Sequence, residues 1–294
     1  MGLGEAFALA SAVAWAFAVV LLRKSGETLP AFELNLFKVV LGWLLMLPTA
    51  ALVEGLLIPA YTVKEWILLI TSGFIGIAVA DTWFLRALNL MGASRTGITG
   101  TLLSPFVIIL SVFMLGESLH GWQYPGLGLV LAGVVLVNWR VHRSEIDAAH
   151  LRQGLAFGVA AVFAMALGIV MVKEILERHE FFWTAQWRLA GGAAGMLAYA
   201  FMRREWHSVR ASFSRDQPWF VIISAALLGT YICMILWLAG YKYTTASIAS
   251  MLNESTSAFI VLFAWLFLKE PLTLRKSAGL ALTLAGIFVI IAEF

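Results

Sequence analysis

Apolar stretches about as long as a bilayer is thick recur along the whole of this chain, and they leave few folds open. A hydrocarbon core of about 30 Å takes about 20 residues of α-helix. Runs of roughly that length cover residues 3–22, 34–53, 66–88, 94–115, 122–139, 152–172, 183–202, 218–239, 245–267 and 274–292. They are apolar all round, as buried helices are, and lack the polar–apolar alternation of a membrane β-barrel strand. The expected fold class is an all-α integral membrane protein with ten transmembrane helices. Composition agrees: 61% of the residues are hydrophobic and 13% charged, against about 45–50% and about 25% in ordinary soluble domains. That excludes a soluble globular fold and a disordered chain. The first run has no basic n-region before it and is too long for a signal-peptide core, so it reads as a retained first span.

The two halves of the chain are related. At an offset of 150, Gly4 maps to Gly154, Arg23 to Lys173, Lys38 to Arg188 and Gly42 to Gly192. From the third span the offset is 153: Gly76 maps to Gly229, Ala93-Ser94 to Ala246-Ser247, Phe106 to Phe259, Glu117 to Glu270 and Gly126 to Gly279. Rare charged residues fall in register, which composition bias does not produce. The expected domains are a first five-helix repeat over 1–143, a linker over 144–151 and a second repeat over 152–294. Five spans per repeat is an odd number, so the second repeat enters the membrane the other way round. Such inverted-topology repeats are an architecture of secondary transporters.

Basic residues concentrate in the connectors after the odd-numbered spans, among them Arg23, Lys24, Arg95, Arg140, Arg203, Arg204 and Lys276; the other side has Lys64, Lys173, Arg178 and Lys242. Positive-inside reasoning puts the richer set in the cytoplasm and both termini outside. The expected location is the cell inner membrane, multi-pass.

Ionisable groups within spans cost at least about 2.5–3.5 kcal/mol each at the helix centre, which makes them functional candidates. Asp81 lies near the middle of the third span, where the second repeat has Met234; Glu254 lies about ten residues into the ninth, where the first repeat has Thr101. Each is a candidate to bind a cationic group or to carry a proton; the bland alternative is a hydrogen bond to a neighbouring helix. Ser247, Ser250, Glu254 and Ser257 share one helix face, matched by Ser94, Gly97, Thr101 and Ser104. Two such stripes fit a solvated cavity wall or close small-residue packing, and the carboxylate favours the cavity. Asn253 adjoins Glu254. Tyr231, Met234, Leu238 and Tyr241 form a stripe on the eighth span, and Trp15 shares a face with Ser11; such rings grip a substrate or simply pack. Lys38 and Arg188 sit about one turn inside the second and seventh spans. They either snorkel to the headgroups or act in gating or anion contact.

The sequence has no P-loop, nucleophile elbow, zinc-protease helix or dinucleotide fingerprint. It therefore points to no enzyme, no ATP and no cofactor. Its single cysteine, Cys233, makes no intramolecular disulfide, and the five histidines fall in polar connectors without metal-site spacing. No metal is expected. A net charge of +3 is too small and scattered for a nucleic-acid partner.

The chain resembles the EamA-like family of the drug/metabolite transporter superfamily, in two copies. The first copy carries Leu102-Leu103-Ser104-Pro105-Phe106, Leu115-Gly116-Glu117-Ser118-Leu119 and Leu131-Ala132-Gly133-Val134; the second carries Leu268-Lys269-Glu270-Pro271-Leu272 and Leu284-Ala285-Gly286-Ile287. Lys38, Arg188 and Trp15 stand at the module's basic and tryptophan positions, while Ala16 and Ala258 depart from its usual glycine and proline. The resemblance implies a basket of ten helices, with spans 1, 3, 4, 6, 8 and 9 around a central cavity and 5 and 10 peripheral. It also implies export or exchange of small metabolites such as amino acids or drugs. The expected function is thus a secondary transporter working by alternating access around a midplane cavity, with proton coupling through Glu254 or Asp81 as one mode. Its partners are a small-molecule substrate and membrane lipids, as a monomer or homodimer. The rival classes are a non-transporting receptor or scaffold, which would need large loops or a soluble tail, and a lipid-modifying protein, which would need a catalytic cluster.

Overall fold

The computed structural model describes residues 2–91, 96, 99–138, 148–202, 206–214, 216–256, 258–259, 262–263 and 274–291. The described residues are helical with short connectors. The helices are α1 (Leu3–Ser25), α2 (Ala31–Val53), α3 (Val63–Met91), α4 (Leu103–Leu115), α5 (Gln123–Asn138), α6 (Ala148–Arg178), α7 (Phe181–Met202), α8 (Trp219–Tyr243), α9 (Ala246–Asn253) and α10 (Leu274–Ile291). A short helix, Trp206–Ser214, lies between α7 and α8. Among the described residues, α1, α2, α3, α6 and α8 are long and apolar enough to cross a membrane, and α4, α5 and α10 contribute shorter apolar helices. α6 starts at Ala148, so the first turn of this helix occupies positions 148–151 of the linker expected from sequence. Residues 144–147 of that linker lie outside the described set.

Local chemistry explains several boundaries. Glu5 opens α1, and Arg23 with Lys24 closes it, each complementing the helix dipole. α3 begins in a reciprocal cap: the Glu65 backbone N–H donates to Thr62 Oγ1 (3.3 Å), and the Thr62 N–H donates to Glu65 Oε2 (2.7 Å). α4 ends at Gly116, whose φ of 67° is the left-handed value that favours glycine at a helix C-terminus.

Each helix packs against one from the other half of the chain: α1 with α8, α3 with α6, α2 with α7, α4 with α9, and α5 with α10. Among the described residues, helical geometry is interrupted or broken at four places, which also pair. A π-helical turn interrupts α3 at Phe74–Val79, and another interrupts α8 at Leu227–Ile232, 153 positions later. A turn at Thr101–Leu102 precedes α4, and a turn at Glu254–Ser255 follows α9, again 153 apart.

α3 and α7 cross almost backbone to backbone. A Cβ added to Gly73 would lie 1.9 Å from the Arg188 carbonyl oxygen. No side chain fits there, so this crossing is the most demanding contact in the fold. Gly73→Val is expected to lower the melting midpoint of detergent-purified protein by about 5 °C or more, or to remove the monodisperse species altogether. Gly128→Ala on α5, where nothing lies within 4 Å of an added Cβ, is expected to leave it unchanged. Equal behaviour of the two variants in a thermal unfolding assay would contradict this account.

Candidate functional site

The four irregular places converge on one cavity. It encloses about 1230 Å³ counting its mouth, and its wall includes Gly76 and Ile77 of the first π-turn and Gly229 of the second. Gly100 and Leu103 flank the first helix break, and Asn253, Glu254 and Thr256 surround the second; all line the same space. α1 adds Ser11, Trp15 and Val19, and α6 adds Val162 and Met165. α2 and α7 contribute one lining residue each, Lys38 and Arg188. That widens the six-helix wall implied by the family resemblance, because these two long side chains reach inward. α5 and α10 contribute none and pack against each other.

Lys38 and Arg188 are 2% and 1% exposed. Neither snorkels to a helix end, because each finds partners inside. Lys38 Nζ donates to Asp81 Oδ2 in an ion pair between α2 and α3. Asn35, one turn before Lys38, stabilises the same crossing: its side-chain amide donates to the Ile77 carbonyl (3.0 Å) and to Thr82 Oγ1 (2.9 Å). The Thr82 hydroxyl donates to the Ala78 carbonyl (2.6 Å), so carbonyls of the π-turn acquire side-chain donors. Arg188 has different company. Its Nη1 lies 3.7 Å from Met234 Sδ, and its guanidinium carbon lies 5.5 Å from the centroid of the Trp237 ring.

Glu254 is 7% exposed and sits in the second helix break. Its Oε1 accepts from the Ser104 backbone N–H (3.1 Å) and from the Ser104 hydroxyl (2.8 Å). Those donors belong to the first turn of α4, where backbone N–H groups lack partners within the helix. The carboxylate thus caps α4 from α9's end. The neighbouring Asn253 accepts from the Ser11 hydroxyl through Oδ1 (2.6 Å), tying α1 to the same break.

The remaining sequence candidates fall around the cavity in different ways. Trp15, Asp81, Asn253 and Glu254 line it. Ser104 touches it through Glu254, and Thr101 is buried in the first break beside Gly100. Tyr231 turns away, with its hydroxyl 2.6 Å from Thr49 Oγ1 on α2. Tyr241 is fully buried in the core, edge-on to Trp237. Ser250 is buried and donates to the Ser247 carbonyl, and Ser257 lies outside the described residues. Within the described part of the stripe expected to form a cavity wall, Ser247 and Ser250 are taken up by helix packing and Glu254 reaches the space. Asn35 and Trp237 gained no role from sequence alone, and Met234 entered only as the counterpart of Asp81 and a member of the eighth-span stripe. For Asn35 the signal was its i, i+3 spacing to Lys38 within an apolar run.

Polar contacts join the helix ends on one side of the bundle. Glu117 accepts from the backbone N–H groups of Ala246 (2.8 Å) and Ser247 (3.1 Å) at the start of α9. Glu54 accepts from those of Phe182 and Trp183 (3.0 Å each) at the start of α7, and His179 Nε2 lies 3.0 Å from Glu65. Towards the other end the lining reaches Leu88 and Thr96, where Arg23 Nη1 of α1 donates to the Leu88 carbonyl (3.1 Å).

A buried ion pair tolerates loss of both charges far better than loss of one. Lys38→Met or Asp81→Leu alone is expected to destabilise by about 3–5 kcal/mol, whereas the double variant should recover most of that loss. Thermal unfolding of the three proteins in detergent checks this; additive losses in the double variant would show that the pair carries no coupling.

Comparisons with known proteins place this geometry in a family. The sequence profile of the EamA-like transporter family matches residues 2–139 and again residues 152–292. The chain is 27% identical over 290 residues to an uncharacterized transporter of Archaeoglobus fulgidus, covering 98% of this chain and 96% of that one. It is 23% identical over 239 residues to the uncharacterized transporter YetK of Bacillus subtilis, covering 80% and 71%. A solved crystal structure superposes with a TM-score of 0.77 over 98% of this chain and 95% of its own, at 17% identity, which shows a shared fold. Matched twice along almost its full length, the chain belongs to the EamA-like transporter family, within the drug/metabolite transporter superfamily.

Proposed function

We propose that the protein is a secondary transporter of small metabolites, with ten membrane spans in two inverted five-helix halves that rock about the charged cavity. The observation that carries this reading is the convergence of all four helix irregularities, two from each half, on one space holding Lys38, Asp81, Arg188 and Glu254. Broken helices at membrane depth are tolerated where they line a cavity, and there they mark solute and ion sites. The pairing of helices supports a pseudo-two-fold arrangement. Exchanging the halves carries the α1–α8 contact onto α6–α3, and returns α2–α7, α4–α9 and α5–α10 onto themselves.

Glu254 and Asp81 are the groups we assign to cation or proton handling. Asp81 is already neutralised by Lys38, which leaves Glu254 as the first carboxylate to meet a solute. In liposomes containing purified protein, saturable exchange of a transported solute should fall about tenfold or more in Glu254→Gln, with unchanged monodispersity. Normal exchange across pH 5–8 in both Glu254→Gln and Asp81→Asn would remove these residues from the mechanism.

We read the end held by Glu117 and Glu54, which bears the start of α1, as the closed one, because the cavity lining reaches Leu88 and Thr96 towards the other. With the termini outside, as the basic connectors suggest, the cavity then faces the cytoplasm. Cys233, the single cysteine, lines that cavity. A membrane-impermeant thiol reagent should therefore label inside-out vesicles and spare right-side-out ones. Labelling of both at equal rates, or from the outside alone, would reverse this assignment.

A further inference from the structure

We propose that Arg188 anchors an anionic group of the solute, and that the solutes this cavity takes are organic monocarboxylates with an apolar body. The inference rests on the reading of the cavity as the transport site. Its starting point is a broken correspondence between the halves. Lys38 corresponds to Arg188, and Asp81 corresponds to Met234. In the first half the cation has its carboxylate. In the second half the cation meets a thioether, 3.7 Å from Nη1, where the carboxylate would stand.

Arg188 is 1% exposed, and its Nε has no hydrogen-bond partner. Among the described residues no carboxylate lies within ion-pair distance of it. A guanidinium offers five N–H donors in a planar fork, and a weak sulfur contact leaves most of that capacity unused. The Trp237 ring and the absence of a side chain at Gly76, where a Cβ would fall 2.9 Å from Nη2, hold and accommodate the fork without neutralising it. An unpaired cation away from water is costly, and a counter-ion entering the cavity relieves that cost.

The other ionisable groups on the wall are Lys38, Asp81, Cys233 and Glu254. Lys38 and Asp81 cancel each other, and Glu254 already accepts two hydrogen bonds from Ser104. Of the charged groups on the wall Arg188 alone has neither an ion-pair partner nor a hydrogen bond to oxygen, so it is the place for a single negative charge. A carboxylate matches both that charge and the fork's two-point geometry; a doubly charged phosphate would call for a second unpaired cation. Around Arg188 the wall is largely apolar, with Trp15, Phe84, Leu103, Val162 and Met165 available to the body of the solute.

The test uses benzoate, phenylacetate and 3-phenylpropionate, each against its uncharged amide, on full-length protein in detergent. A ligand that binds the folded state raises the melting midpoint. At least one acid is expected to raise it by about 2 °C or more at millimolar concentration while its amide does not. Arg188→Gln should abolish the response and Arg188→Lys should weaken it. Met234→Asp is the decisive variant: it gives Arg188 the internal partner that Lys38 has, so it should fold at least as stably as the parent yet lose the acid response. Silence of all three acids on the parent protein, equal response to acids and amides, or an acid response that persists in Met234→Asp each overturns the proposal. Liposome exchange of lysine, putrescine and glucose separates this from the wider reading. Flux of any of them that is unchanged in Met234→Asp keeps the transporter and discards the anchor.

Discussion

Everything near the cavity depends on a helix crossing that contains no side chains. Where α3 meets α7, the position of a Cβ on Gly73 is occupied by the Arg188 carbonyl. Lipid tails are as apolar as leucine, so burial of apolar area does not drive helices together in a bilayer; close backbone approach and internal polar contacts do. The crossing fixes Arg188 against α3, and three residues further along, Gly76 leaves room for its guanidinium. The π-turn begins immediately after Gly73. It shifts the phase of α3, so that the helix that grips α7 on one side of the turn presents Asp81 to Lys38 of α2 on the other.

The acids obey a second constraint, the need to satisfy helix ends where water is scarce. Glu54, Glu117 and Glu254 each accept from backbone N–H groups in the first turn of a helix other than their own: α7, α9 and α4 respectively. A carboxylate placed there meets both the unpaired donors and the positive end of the helix dipole. Such cross-helix caps couple position to bonding. Sliding α9 away from α4 would leave Glu254 and two Ser104 donors unpaired together, so separation has to occur as one event rather than by gradual loosening. Glu117 gives the start of α9 the same property.

Much of this was legible in the sequence, and what was missed has physical reasons. The apolar runs showed the helical class because a bilayer fixes helix length, and the charged match of Lys38 with Arg188 pointed to two related halves, over which the family profile matches at residues 2–139 and 152–292. Individual environments were less legible. Periodicity places residues on a helix face but does not say what the face meets. Ser247, Ser250 and Glu254 share a stripe, yet two of them pack and one reaches the cavity. Tyr231 and Tyr241 read as one stripe but lie in different settings, because a π-turn covers 227–232 and the regular helix resumes only at Cys233. Lys38 looked able to snorkel because its partner stands 43 positions away, a separation no local pattern reveals. Glu117 follows Gly116 at the end of α4, and the N–H it accepts from lies 129 positions away, equally out of reach of any local pattern.

The duplication also explains why the site is informative where it departs from symmetry. In the transporter proposed above, two related halves would offer two equivalent ways of closing around one space, and nothing in a symmetric wall would orient a solute within it. The two charged residues of the wall that break the correspondence are Asp81 against Met234 and Glu254 against Thr101, and the second member of each comparison is uncharged. Their effect is to gather a neutral pair, Lys38 with Asp81, on the α2–α3 side, and a lone cation with a capped carboxylate on the side formed by α7, α8 and α9. In the transport reading proposed above, the scaffold supplies two conformations and the asymmetric charges supply a direction for the solute. A bound carboxylate at Arg188 would favour whichever conformation keeps the guanidinium driest, since differential affinity for the two states is the only means by which a ligand shifts their balance.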